Sequence, residues 1–464
     1  MAVAQLFESV LAGGIKDTHF FNGRILTAED LRAMQVASRL QDAQLGRAVG
    51  DGVAFGLEVR LSRSTTSTAE RPVVRVTKGL AINRRGEALE LVSDLDLALI
   101  REPQVGAVPE GAFVECPPPR PQTTLTNFGL YVLTVQPAYQ LEGRAPMTEL
   151  GTEGIGSACG SRWAVAGVKF RLVRLELGTT ADSSTLRGRL VQLANDLDTQ
   201  LGQLATSALA AALLSTEVRR KVSRLRNGVA HLCLGTETHS AFVSDPLARV
   251  DDGSSPYVKY GVLDEMRDRA DLTVCEIPLA LVYWTSGGVQ FVDQWAVRRS
   301  PVTAPRSLTW PVVAGDRRAA EGLSMCLQFQ DHLDDLAQGD ASGGAGISAN
   351  AYFGLLPPIG ILSTIGIRTA SGFDPLRFFE SRTVRGPVYA EGANLAEMLQ
   401  RATRFPPIDL GKRELIWLYF VRENVQGLQS ASVSRQILVF TNGQMPFYGN
   451  PRFDLNYWNY ASFA

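Results

Sequence analysis

The chain has 464 residues, 45% of them hydrophobic and 20% charged, with a formal net charge of −1. That length allows several domains with real cores, and the near-neutral balance offers nothing to attract nucleic acid or an anionic membrane. No apolar run reaches the roughly 20 residues that span a bilayer, and the N-terminus MAVAQLFESVLAGGIKD has no basic n-region and carries Glu8 in its apolar run, which argues against a signal peptide and for synthesis in the cytoplasm.

In chain order, Val3, Leu6, Phe7, Val10 and Leu11 would share one side of a short N-terminal helix. Such a helix is marginal in water and needs a surface to dock on. An aromatic turn, His19-Phe20-Phe21-Asn22-Gly23, follows. Thr27 with Asp30 three residues on predicts a capping box, and Ala33, Val36, Ala37, Leu40 and Ala43 recur near helical spacing. Gly50 and Gly52 end this helix, and Gly56 inside the strand-like run to Val59 predicts a bulge or a close backbone approach. Residues 1–49 therefore read as docking helices.

Residues 50–180 read as an antiparallel β domain. Gly79 to Leu91 predicts a strand, an Asn83-Arg84-Arg85-Gly86 turn and a second strand. Cys116-Pro117-Pro118-Pro119-Arg120-Pro121 lacks the ladder donors of a central strand and reads as a stiff connection. Strands are predicted at 128–135 and 163–177, with a surface loop over 140–160 between them.

Residues 181–340 open on the capping cluster Asp182-Ser183-Ser184 and a leucine stripe from Leu186 to Ala211, which predicts one long helix between β-rich parts. Its continuation through Arg219-Arg220-Lys221, Arg224 and Arg226 has no interleaved aromatic residues and reads as a solvated face rather than a phosphate-binding patch. Leu279–Trp284 and Val289–Val292 flank a glycine turn and predict a hairpin, with Asp293 pairing Arg298-Arg299 at its exit. Arg318 to Ala337 has helical periodicity.

Residues 341–464 read as a β-rich C-terminal domain in which Leu415–Val421 and Gln436–Phe440 pair. Its aromatic tail includes Phe447, Tyr457 and Trp458, and a free tail of that kind would invite aggregation, so it is expected to pack on its own chain or on a partner. The fold class expected overall is α+β and multidomain, antiparallel β-rich domains with a long helix between them.

Three stretches carry a family resemblance: FFNGRILTAEDLRAMQ with GDGVAFGLEV near the start, Ile277–Val282 with FVDQWAVRR in the middle, and Tyr352–Leu362, YFGLLPPIGIL, later. Together they resemble structural proteins, baseplate- or shell-associated, of phage-tail-like contractile injection systems. The chain departs from that group at Met34, where the group usually has an acidic residue, and at Ser363, where it often has proline. The resemblance implies a non-enzymatic part that joins other proteins of the particle, or copies of itself. Phe20, Phe21 and Arg24 near the start and Phe447, Tyr457 and Trp458 near the end are the expected contacts. Alternative readings are a receptor- or glycan-binding module of such a particle and, disfavoured, a carbohydrate-active enzyme with two facing carboxylates.

No catalytic, dinucleotide or phosphate-loop fingerprint occurs, so no cofactor is expected. The five cysteines are odd in number and far apart, which disfavours a zinc site and a disulfide framework. His231, Cys233 and His239 match no usual metal-ligand spacing, and Asp251-Asp252-Gly253-Ser254-Ser255 lacks the ligand pattern of a calcium loop.

Overall fold

The computed structural model describes residues 14–62, 72–99, 129–143, 145–146, 159–160, 162–204, 210–236, 261–285, 288–301, 316–339, 346–363, 375–380, 382–422 and 437–445. The Pro117–Pro119 run, the Asp251–Ser255 loop, the Val3–Leu11 helix, His239 and the tail with Phe447, Tyr457 and Trp458 lie outside them.

The chain is α+β. Helix α1 (Ala28–Val49) leads into two small antiparallel sheets: β1 (Gly52–Gly56), β4 (Gly79–Ile82) and β5 (Ala88–Leu91) form one, and β2 (Val59–Leu61), β3 (Val73–Val76) and β6 (Leu95–Ala98) the other. The predicted hairpin around Asn83–Gly86 is present. Gly56 has φ +61°, and a Cβ there would meet the Lys78 carbonyl oxygen at 1.9 Å, the close approach its place in a strand announces.

The central sheet runs β10 (Trp163–Arg174), β7 (Gly129–Glu142), β11 (Ile277–Thr285), β12 (Gly288–Asp293). It spans the junction at residue 180 that the sequence suggested, because the expected hairpin β11–β12 adds to β7, Ile277 facing Val135. Both faces are covered. Leu130, Val132, Leu281, Tyr283 and Phe291 look toward the helices, and Tyr131, Leu133, Val135, Ala280 and Val282 toward the two small sheets. Burial on both sides explains why β11 is apolar and buried throughout. β7 continues to Glu142 where a loop from Gln140 was expected, and it pairs with β10 as far as Trp163. Leu141, Trp163 and Val165 are exposed on this arm, beyond the reach of β11. The arm is followed by the short pair β8 (Ala145–Pro146) and β9 (Cys159–Gly160).

The leucine stripe is not one helix. α2 (Leu186–Leu204) and α3 (Ala210–Cys233) lie antiparallel, with Leu190 of one against Gly228 of the other and Lys221 near Asp196. Folding back lets the stripes of both helices, with α4 (Gly261–Asp268), bury against the central sheet. Thr185, rather than Asp182, caps α2: its hydroxyl accepts from Gly188 N, while Asp182 braces the preceding turn through Ser184.

α5 (Asp316–Gly339) follows, then α6 (Ala349–Tyr352), β13 (Leu355–Leu356), β14 (Ile359–Ser363), α7 (Pro375–Phe379), β15 (Val384–Glu391), α8 (Leu395–Ala402), β16 (Ile408–Asp409), β17 (Ile416–Arg422) and β18 (Ile437–Thr441). β17 and β18 pair as expected, in the order β14-β18-β17-β15, with only the β15–β17 pairing of this sheet parallel. α5 covers the sheet, and Phe329 meets Phe440 edge-on at 5.4 Å. Gly360 leaves room for that contact, since a Cβ there would lie 2.3 Å from the Phe440 ring.

One thiol departs from expectation. Cys275 is disulfide-bonded, whereas Cys233 and Cys326 are free and buried. Distance along the chain says little about distance in space, so a spacing argument cannot exclude a single cross-link.

Candidate functional site: an apolar helix outside the body and the joint beneath it

The capping box at the start of α1 is complete: the Thr27 side chain accepts from Asp30 N, and the Asp30 side chain accepts from Thr27 N. Those bonds hold the Asp30 carboxyl below its ordinary range, with Arg24 adding to the effect. Arg24 also donates to the His19 carbonyl at 2.5 Å and stands over the Phe21 ring. Arg24, expected as a contact residue, is thus first a clasp that folds the aromatic turn onto the helix start.

Beyond the clasp, the large apolar side chains of α1 face solvent. Ala37 is the one α1 residue whose side chain is fully buried. Phe21 is 62% exposed, Ile25 85% and Leu45 69%, and Phe20, Leu31, Met34, Leu40 and Val49 are also exposed. Single exposed apolar side chains are ordinary, but a run of them on one helix is not.

The helix is seated by backbone at its C-terminal end. A Cβ on Gly46 would lie 2.0 Å from the Gly86 carbonyl oxygen, and one on Gly86, at φ +87°, would lie 1.9 Å from that of Ala43. The turn predicted at Asn83–Gly86 is therefore the socket. Gly52 similarly approaches the backbone of Arg299 and Ser300, and Val53 N donates to the Arg299 carbonyl at 2.8 Å.

The three stretches that carry the resemblance are linked to one another, the third through α3. Arg298 donates to the Leu57 carbonyl at 3.0 Å, tying the middle stretch to the first. Asp293 does not form the expected pair with Arg298-Arg299 but accepts from Arg226 of α3 at 2.7 Å and from Gln328 of α5 at 2.9 Å. Its other oxygen accepts from Ala296 N and shapes the turn. Arg299 instead faces Glu321, 2.5 Å away, whose carboxyl burial raises above the ordinary range against the pull of Arg299 and Arg317. Asn227, next to Arg226, accepts from Gly354 N and Leu355 N and donates to the Leu355 carbonyl, which ties in the third stretch.

The basic run therefore divides. Arg219, Arg220 and Arg224 are exposed as predicted, whereas Arg226 is buried. Burial works against the Arg226 charge, but Asp293 and Asp335 outweigh it and the pKa is raised. Helical periodicity marked the buried side of α3, but no sequence signal marked which arginine would find carboxylates there.

A scan against protein-family models finds no match, and a search of curated proteins finds none either.

Ser223 and His332 lie 2.8 Å apart in the same joint, a pair with the look of a nucleophile and its base. The Ser223 hydroxyl donates to the Tyr352 carbonyl at 2.9 Å, so its single proton is committed and the imidazole must donate to it. Both are buried, and burial holds His332 neutral, its pKa well below the ordinary value. The arrangement fastens helices and does not prepare an attack. His231 is hydrogen-bonded to Thr236, and burial pushes the Cys233 thiol up to about 12. Among the described residues no group of three His, Cys, Asp or Glu is placed to hold a metal. Nor is any helix among them long and apolar enough to cross a membrane.

Proposed function

We propose that this chain is a structural component of a contractile, phage-tail-like injection particle, assembled at or around the baseplate through contacts with other proteins. The observation that carries the proposal is α1: a capped, clasped helix whose large apolar side chains face solvent and whose C-terminal end is seated on the Gly86 turn. Such a surface costs solubility in the isolated chain and is stabilising once covered by a partner. Phe20 and Phe21, exposed beside it, extend the same surface. The linkage of the three resembling stretches, Arg298 to Leu57 and Asp293 through α3 to Gly354 and Leu355, supports a shared architecture with that group.

No reaction is assigned to the chain. Its buried polar groups brace elements against one another, as Arg226, Asn227 and Ser223 do. Cytoplasmic synthesis followed by release in a particle agrees with the Cys275 disulfide, a bond that persists outside reducing compartments. The glycan-binding alternative finds an exposed indole, Trp163, on the β7–β10 arm with Arg162 over its ring. Binding to a cell-surface glycan array that is lost in Trp163→Ala would favour that alternative.

The direct test images particles from cells with and without this chain, alongside a Phe21→Ser, Leu45→Glu variant. Loss of the chain is expected to change particle yield or baseplate shape, and the variant is expected to be absent from purified particles. Particles normal in shape, number and contraction without the chain would sink the proposal.

A further inference from the structure

We infer that the outer edge of β10 takes a strand from another protein, apolar at its middle and acidic at both ends, which adds to the β7–β10 arm as a third strand. The inference concerns a part of the molecule other than α1 and stands whether or not α1 is covered in a particle.

The arm is longer than β7 and β10 alone. Ala145 faces Gly160 and Pro146 faces Cys159 in the same register that sets Glu142 against Trp163, so β8 and β9 continue the ribbon. β11 stops pairing at Val135. From there to Pro146 the ribbon has two strands only, over roughly 35 Å of strand. Trp163, Ala164, Val165, Ala166 and Gly167 are all exposed, as is Leu141 across from them. A Cβ added at Gly167 would meet nothing within 4 Å. A two-stranded ribbon is marginal in water and is stabilised by a third strand.

Its two edges differ. Leu175 N donates to the Leu130 carbonyl at 2.9 Å, and bonded positions alternate along an antiparallel ladder. The register is unbroken from Arg174 to Trp163. Lys169, Gly167, Val165 and Trp163 therefore bond to β7, while Val168, Ala166 and Ala164 turn their N–H and C=O groups outward. Among the described residues nothing pairs with those outward groups. Edge strands are ordinarily guarded by proline, a bulge or a charge. Pro137, opposite Val168, removes a donor from the β7 edge that β11 leaves open. From Trp163 to Val168, β10 has no proline, no bulge and no charge.

Charge selects the occupant. From Arg162 to Arg174 the chain carries Arg162, Lys169, Arg171 and Arg174 and no acid. Arg171 is taken by Glu276 at 2.6 Å. Arg162 and Lys169 then flank the apolar outward stretch, and carboxylates across from them are favourable neighbours. Ala164, Ala166 and Gly167 are small and leave room for larger apolar side chains on the incoming strand. A second copy of β10 would instead bring together two strands whose charges are all basic, which is destabilising.

Amide exchange of the full-length chain, read at single residues, tests this with a synthetic peptide of alternating Val and Thr that carries Glu at each end. In the free chain the amides of Ala164, Ala166 and Val168 are expected to exchange at least about tenfold faster than those of Val165 and Gly167, and to become slow when the peptide is added. The same peptide with Lys at each end is expected to bind at least about tenfold more weakly. So is the acidic peptide to Ala166→Pro, which removes an outward donor and leaves the bonds to β7 in place. Ala164→Pro, also outward, is expected to act alike and gives the reading if Ala166→Pro disturbs the arm. Slow exchange at the three amides before any addition would show that the chain covers its own edge. A dimer in sedimentation that Ala166→Pro dissolves would put a second copy there. Glycan-array binding lost in Trp163→Ala, with no peptide binding, would assign the arm to a sugar. Each of these overturns the inference, as does an acidic peptide that gives no protection or binds both proline variants equally well. None of them touches the reading of α1, which the particle images test separately.

Discussion

Arg226 of α3 donates to Asp293, at the end of β12, at 2.7 Å across 67 residues of sequence, with both side chains buried. The pair joins α3 to the turn after β12, whose Arg299 carbonyl accepts from Val53 N, and Asp335 takes a second nitrogen of the same guanidinium. Removing Arg226 leaves Asp293 an uncompensated buried charge, and removing Asp293 leaves Arg226 only the exposed Asp335. Arg226→Ala or Asp293→Ala is expected to cost about 3–5 kcal/mol in chemical denaturation, and the double change Arg226→Met, Asp293→Leu less than either single one. Equal costs for all three would show that the pair is screened.

Asn227 closes three hydrogen bonds to the backbone at Gly354 and Leu355. Asn227→Ala strands two N–H groups and one carbonyl. The expected loss is on the order of 3 kcal/mol, with faster amide exchange at Gly354 and Leu355 before the rest of the chain responds. Unchanged exchange there would refute the assignment.

His231 is buried and neutral, its pKa lowered by desolvation from 6.5 to about 3. The unfolded chain binds the proton more readily, so the contribution of the neutral imidazole is fully present above pH 6.5 and is lost as pH falls toward 3. Compared with His231→Leu, the wild-type stability advantage is expected to shrink by about 1.4 kcal/mol per pH unit below that point. Denaturation curves of the two proteins from pH 7 to 4.5 read this directly, and parallel pH profiles would contradict it.

Gly86 is the socket for α1, at a positive φ with the Ala43 carbonyl in the space a Cβ would need. Gly86→Ala is expected to cost about 1–2 kcal/mol in backbone strain alone and to unseat the helix. Hydrogen exchange should then rise across 28–49 while β7 and β11 keep their protection. A uniform rise across the chain would mean that α1 is integral to the core.

Much of the local structure was legible in single residues. Thr27 and Asp30 announced the cap, Gly56 its close approach, Asn83 to Gly86 the turn, and the Leu279–Val292 pattern its hairpin, because each is decided by neighbours within a few positions. The break in the leucine stripe was not legible: α2 and α3 share one periodicity, and only the sheet beneath makes folding back favourable. Nor was the partner of Asp293. Arg298 and Arg299 were nearest in sequence, but α3 delivers Arg226 to the buried side while Arg299 is drawn to Glu321.

What the sequence determined by itself was an α+β chain of capped helices, hairpins and apolar strands, since periodicity and turn chemistry are short-range properties. Tertiary structure alone decided which charges were buried together, which turn received α1 and which apolar residues were left in solvent. Those outcomes depend on surfaces brought together from distant positions, and burial, unlike propensity, is a property of the assembled surface.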